Sequence, residues 1–333
     1  MSVKRAAVIY NPTKISRDRL QPVVLAYEKQ FGWAPSHWYQ TGADDAGRGA
    51  AEAALQGAAS VIVVAGGDGT VRTVAATIYE SGTPLALVPV GTGNLLARNL
   101  GIPLNDVRGA IGAAFGNNTR AIDLAVADLE NPHRQQHSEV FLVMAGIGLD
   151  AEMANNTSAV AKKYLGWLAY VTPIARSIIT NRLFQVDYRI DGGHVRSSHA
   201  HTVIVGNCGT LTGNMLLLPS AVVDDGLLDV VMLRPRRRIG WAGIGTRLTL
   251  QGVGSRTRFG RRIVQLAPDL KALAYAQGER FEARFETPHD VELDGDGLGS
   301  ICRVRITLRS RALTICMPDT NEPPNQSNNI QGT

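Results

Sequence analysis

Residues 61–74 read Val-Ile-Val-Val-Ala-Gly-Gly-Asp-Gly-Thr-Val-Arg-Thr-Val, an apolar run that breaks at Gly66-Gly67-Asp68-Gly69-Thr70 and resumes as a helix-capable segment. The layout predicts a buried strand, a tight turn and a helix N-terminus. Such a turn suits phosphate. Glycine lets the backbone close on an anion, and the unpaired N–H groups of the first helical turn point at it. Asp68 inside an anion site would repel the ligand unless a cation such as Mg2+ stood between them. The first reading is therefore a nucleoside-triphosphate or metal–phosphate site. Two more turns repeat the pattern. Leu85-Ala-Leu-Val-Pro-Val90 runs into Gly91-Thr92-Gly93-Asn94, ahead of the helix-capable Leu95-Leu-Ala-Arg-Asn-Leu100. Ala6-Ala-Val-Ile-Tyr10 runs into Asn11-Pro12-Thr13-Lys14. Parallel α/β sheets gather ligands outside the carboxyl ends of their strands. Three polar loops at three such ends would converge on one crevice.

The elements that must hold these loops alternate up to about residue 118. Strands are expected near 5–10, 36–40, 61–65 and 85–89, with helices near 17–31, 43–57, 70–80, 94–100 and 104–115. That alternation means parallel strands with helices on both faces, and gives a first domain over 1–118. The pattern then changes. Residues 119–129 and 139–145 look like strands, and two helical stretches follow near 150–163 and 165–182. Further strands are expected at 184–191, 194–206, 227–233, 261–267, 280–286, 301–308 and 312–317, with Gly192-Gly193 as a hairpin turn. The second domain, 119–318, is expected to be mainly antiparallel β, a sandwich with helices attached. The polar tail from Asn321 is expected to be disordered.

A chain of 333 residues is long enough for two domains with real cores. Hydrophobic residues make up 44% and charged residues 19%, as in a soluble globular protein. The net charge of +5 favours an anionic partner such as a nucleotide or a phospholipid surface. Cys208, Cys302 and Cys316 have no metal-ligand spacing and cannot all pair, which argues for a reducing compartment. No signal-peptide core or membrane-length apolar run is present. The expected location is cytoplasmic, peripheral to the inner face of a membrane.

With these pieces placed, the sequence resembles the diacylglycerol kinase catalytic-domain family, which includes bacterial lipid kinases and sphingosine kinases. The resemblance runs in order over most of 4–318. It is carried by Asn11-Pro12, Gly66-Gly67-Asp68-Gly69-Thr70, Pro89-Val-Gly-Thr-Gly-Asn94 and Gly146-Ile-Gly-Leu-Asp150, then by Gly206-Asn207, Pro219-Ser-Ala-Val-Val-Asp-Asp-Gly-Leu-Leu-Asp229 and Glu292-Leu-Asp-Gly-Asp296. The glycine loop alone would also fit NAD kinases and phosphofructokinases; the ordered set is far more specific. The resemblance implies an NAD kinase/diacylglycerol kinase-like fold: a three-layer parallel α/β domain, a β-sandwich domain, and ATP in the cleft between them. The C-terminal segment of the second domain would be free to return to the first. It implies transfer of the γ-phosphoryl group to a lipid hydroxyl, most readily diacylglycerol to phosphatidic acid. Asn11, Thr41, Gly66, Gly67, Gly69 and Thr70 would cradle the phosphates, with Thr92, Gly93 and Asn94 lining the same pocket. Asp68 would act through Mg2+. Asp224, Asp225 and Leu227 look like the family's structural Mg2+ site, though the same residues would also make a plain Asp-Gly turn. Asp296, or else Asp294, would take the hydroxyl proton.

The sequence departs from the family pattern in three places. An acidic residue, most often Glu, usually follows Asp-Gly in the last motif; Asp296 is one methylene shorter. Val-Asn-Glu usually follows the glycine loop, where this chain has Val71-Arg72-Thr73, and Arg72 could reach a phosphate or face solvent. Ser-Gly after Asn-Pro is replaced by Thr13-Lys14. Elsewhere, Arg234–Arg238 and Arg256–Arg262 flank a Trp241-bearing apolar stretch that suits anionic headgroups or is simply a basic surface patch, with no recognised nucleic-acid motif. Trp167 and Tyr170 could border an acyl-chain pocket or simply pack in a core. His199 and His201 would share a strand face without a third metal ligand. Expected partners are ATP, a lipid at an anionic membrane surface and a second copy of the chain in a homodimer, with no specific nucleic acid. The rival readings are a kinase of a soluble substrate such as NAD and a catalytically silent lipid or nucleotide binder.

Overall fold

The computed structural model describes residues 3–42, 44–148, 183–209, 218, 220–233 and 273–319. Strands β1 (Arg5–Tyr10), β2 (Ala34–Gln40), β3 (Val61–Gly66) and β4 (Leu85–Pro89) pair in parallel in the order β4-β3-β1-β2. Between and after them run α1 (Arg17–Phe31), α2 (Arg48–Gln56), α3 (Asp68–Ile78), α4 (Leu95–Asn99) and α5 (Val107–Phe115). The period of two divides each strand between two cores. Ala7, Ile9, Ile62, Val64, Leu85 and Leu87 pack with α2, α3 and α4. Ala6, Val8, Val61, Val63, Ala86 and Val88 pack with α1 and α5. Because helices cover both faces, β1, β3 and β4 are continuous apolar runs rather than alternating ones, while the edge strand β2 is polar and only partly buried.

The rest of the described chain pairs antiparallel except at the end of β14: β5 (Thr119–Glu130), β6 (Gln136–Phe141), β7 (Met144–Ile147), β8 (Phe184–Ile190), β9 (Arg196–Ala200), β10 (Thr202–Gly206), β11 (Leu228–Leu233), β12 (Leu273–Gly278), β13 (Arg280–Leu293) and β14 (Asp296–Cys316). The pairing of β13 with β14 shifts register between Arg284 and His289. Before the shift β13 pairs with β8, and after it with β7. Two sheets therefore share the long β13–β14 ribbon. Phe141, Val186, Val203, Val230, Phe281 and Val304, drawn from both, meet in one core, which makes this half a β-sandwich. The last residues of β14, Ile315 and Cys316, pair in parallel with Leu85 and Ala86 of β4. The C-terminal strand thus joins the parallel sheet.

Several boundaries differ from the sequence expectation for identifiable reasons. The strands expected at 280–286, 301–308 and 312–317 are parts of β13 and β14, which a two-residue Asp294-Gly295 turn connects. Both turn residues have positive φ, 52° and 92°, as a primed hairpin turn requires. The other hairpin turns one residue earlier than expected. Asp191 and Gly192 carry positive φ, and the Gly193 N–H donates to the Ile190 carbonyl at 2.9 Å. The single strand expected over 194–206 breaks at His201, whose N–H donates to the Leu233 carbonyl. His199 is exposed and His201 buried, so the two do not share a face. Strand β12 was not anticipated. The helices expected at 150–163 and 165–182, the strand at 261–267, the arginine-rich stretches, Trp167, Tyr170, Trp241 and the tail from Asn321 lie outside the described residues. Among the described residues no helix is long and apolar enough to cross a membrane.

Candidate active site

The glycine loop joins β3 to α3. Gly67 is the extended N-cap and has no side chain to cap the helix, an arrangement in which first-turn N–H groups can face a ligand. The loop after β4 lies directly against it. A Cβ on Gly91 would stand 2.7 Å from the Gly67 Cα, so the two backbones can meet only with glycine there. Asn94 takes the left-handed conformation that opens α4. Its side chain closes the turn, accepting the Gly91 N–H and donating to the Gly91 carbonyl, both at 2.9 Å. Asp68 then bridges the two loops. Its carboxylate accepts the Asn94 N–H at 2.8 Å and the Leu95 N–H at 2.6 Å, capping α4. Burial pushes the Asp68 carboxyl above its ordinary value, the two N–H donors oppose the shift, and the nearby Asp296 charge adds to it.

Asn11 holds the third loop. Its N–H donates to the Ala65 carbonyl at the end of β3, and its side-chain oxygen accepts the Thr13 N–H and hydroxyl. Thr41, after β2, donates its N–H to the Tyr10 carbonyl and is buried. Thr70 is likewise buried, whereas Thr92 and Lys14 are exposed.

The turn between β13 and β14 reaches this crevice from the sandwich. Its two aspartates part company. Asp294 points inward and accepts N–H bonds from Leu142, Val143 and Met144 at 2.8, 2.9 and 2.9 Å. Burial pushes its carboxyl up to about 6, against those donors and the Arg72 charge. The Asp296 side chain is 50% exposed and stands over the glycine loop: Oδ2 is 3.0 Å from where a Gly69 Cβ would lie. Arg72 of α3 donates to the same Oδ2 at 2.9 Å, and its other terminal nitrogen is 3.7 Å from Glu139. Arg72 therefore faces a carboxylate rather than solvent.

The turn at 224–227 is organised differently. Arg120 grips both oxygens of Asp224, at 2.8 and 2.9 Å, and holds that carboxyl below its ordinary value. Asp225 accepts the Leu227 N–H at 3.0 Å. The fully buried Asp123 accepts N–H bonds from Gly226 and Arg311 at 2.7 and 2.6 Å. Among the described residues no three His, Cys, Asp or Glu side chains are grouped to hold a metal. Arg120 thus occupies both oxygens of Asp224, which leaves the Asp225 carboxylate and backbone carbonyls of the turn as the donors that would remain for a cation.

Residues 5–127 match the diacylglycerol kinase catalytic domain, and residues 143–244 match the YegS C-terminal NAD kinase beta sandwich-like domain. A "Diacylglycerol kinase" of Bacillus subtilis is 31% identical over 70% of this chain and 74% of its own length. The chain belongs to the diacylglycerol kinase family. A Pseudomonas aeruginosa relative, "Probable lipid kinase YegS-like", is 32% identical over 83% of each chain. The crystal structure of a diacylglycerol kinase from Bacillus anthracis shares the fold, with a TM-score of 0.70 at 24% identity over 95% of this chain and 97% of that one.

For a member of this family, the structure brings Asp68, the two glycine turns and Asp296 together and turns Asp294 and Asp224 toward other partners. Sequence reasoning missed Asp123, Arg120, Glu139 and the pairing of Arg72. Asp123 carried a signal, being a lone charge within the apolar run Ala121–Val126 of β5. A buried charge in such a run must find partners. Arg120 and Glu139 carried none, because their partners lie on distant segments.

Proposed function

We propose that the protein is an ATP-dependent lipid kinase that phosphorylates a hydroxyl of diacylglycerol, giving phosphatidic acid. The observation that carries this reading is the Asp296 carboxylate, held over the N-terminus of α3 where the glycine loops would hold a triphosphate. ATP enters as its magnesium complex. Its phosphates meet the backbone N–H groups of Gly67–Thr70 and the turn at 91–94, which the Asp68 carboxylate holds together. Asp296 accepts the proton of the lipid hydroxyl, the hydroxyl oxygen forms a bond to the γ-phosphorus, and the bond to the β–γ bridging oxygen breaks to release ADP. Such transfer asks the protein mainly for positioning and charge neutralisation. Asp294 is a poorer base because both its oxygens already accept backbone N–H bonds. The arginine-rich stretches at 234–238 and 256–262 support a site of work at an anionic membrane surface.

The test is transfer of labelled γ-phosphate from ATP to diacylglycerol, monoacylglycerol, ceramide and sphingosine in mixed micelles, with NAD as a soluble control, wild type beside Asp68→Ala. The expected result is a labelled diacylglycerol product that the variant does not form. Label in NAD alone would overturn the lipid reading, and bound ATP with no product in any lane would indicate a silent binder.

A further inference from the structure

The geometry points to Arg72 as a positioning residue for phosphoryl transfer, one that holds the Asp296 carboxylate over the glycine loop. This rests on the reading of Asp296 as proton acceptor. Arg72 lies on α3, the helix whose first turn forms the phosphate loop, so loop and guanidinium move as one element. Its side chain is only 11% exposed, and its Nε is buried without a partner among the described residues. One terminal nitrogen reaches Asp296 Oδ2 at 2.9 Å, while the other faces Glu139 at 3.7 Å. A half-exposed aspartate at the first residue of β14, just past the turn, would otherwise sample several rotamers. A planar, multi-donor guanidinium fixed in a packed helix selects one of them. The contact uses a single oxygen, so the second stays open to a substrate proton. The cation also stands among carboxylates that repel one another: the Asp296 charge acts on Asp68, and the Arg72 charge acts on Asp294.

A phosphate ligand and a positioning residue make different kinetic signatures. If Arg72 acts through Asp296, its removal lowers kcat and leaves the KM for ATP in place. The variants are Arg72→Met, which keeps the apolar stem, and Arg72→Lys, which keeps a charge but not the fork. They are read with labelled ATP in the wild-type and Asp296→Asn backgrounds, and thermal unfolding checks the fold of each. The expected result is a fall in kcat of about tenfold for Arg72→Met, a smaller fall for Arg72→Lys, an ATP KM within twofold, and no further loss on the Asp296→Asn background. Three results would overturn the proposal: an unchanged kcat, a rise in ATP KM at constant kcat, or the same fold loss in both backgrounds. Full turnover by Asp296→Asn alone would instead remove the underlying proton-acceptor assignment, so the two failures are distinguishable.

Discussion

The Asp224-Asp225-Gly226 turn and the Asp294-Gly295-Asp296 turn each place carboxylates beside a glycine of positive φ, and each meets an arginine from a distant element. Arg120 takes both oxygens of Asp224, whereas Arg72 takes one oxygen of Asp296. The Asp224 side chain is 28% exposed and the Asp296 side chain 50%. Each turn is also anchored by a buried aspartate that accepts backbone N–H bonds, Asp123 in the first and Asp294 in the second. One turn is thus closed on itself, and the other presents an open carboxylate to the glycine loops. Similar residue types in similar turns serve fastening in one place and, in the proposed mechanism, chemistry in the other. What separates them is the geometry of the arginine contact and which element the turn faces.

The comparison breaks most visibly if the anchors are removed. Asp294→Ala would strand three N–H donors at the β6–β7 junction, and we expect a loss of about 3 kcal/mol or more by urea unfolding. Next is the apposition of the loops. Gly91→Ala drives a methyl into the Gly67 Cα, and steady-state kinetics should show a fall of about 10² in kcat/KM for ATP in a protein that remains folded. A smaller effect belongs to the closed turn. Arg120→Ala leaves Asp224 in a partly solvated site, so its expected cost is about 1 kcal/mol in stability with little change in turnover.

A further effect is on pH dependence. Asp229 is fully buried beside the closed turn, and burial, with the Asp225 charge adding, pushes its carboxyl from 3.8 up to about 6. Between those values the folded chain binds more protons than the unfolded one. Stability from this group is therefore complete below the unfolded value and is lost as pH rises through the folded one. The urea midpoint should fall more between pH 4 and pH 7 in the wild type than in Asp229→Asn. Parallel pH profiles would show the carboxyl to be unperturbed.

The parallel half was legible because each strand announces itself. A continuous β-branched run such as Val61–Val64 is buried on both sides and stops at a glycine turn, so type, extent and ligand end are all local. The sandwich was less so. Asp294-Gly295 was read as part of a motif, although Asp-Gly between apolar flanks is also a hairpin signal, and the two long strands it joins were cut into three. At the site, the glycine loops were visible and their mutual support was not. Nothing near Asp68 says that it caps a helix 26 residues on. Whether Asp294 or Asp296 faces the crevice depends on N–H groups at 142–144, about 150 residues away in sequence. Local sequence cannot assign Arg72 to phosphate, solvent or carboxylate, because its partner is 224 residues distant. Local pattern reports elements; side-chain pairing across the chain decides which carboxylate is available.

The most direct test of the central claim is the turnover number for lipid phosphorylation in Asp296→Asn and Asp224→Asn, measured side by side with thermal unfolding of each. A fall of about 10²–10⁴ in kcat is expected for Asp296→Asn at an unchanged unfolding temperature. Turnover within about twofold of wild type is expected for Asp224→Asn, whose cost falls on stability instead. Wild-type turnover by Asp296→Asn, or a kinetic defect confined to Asp224→Asn, would contradict that claim.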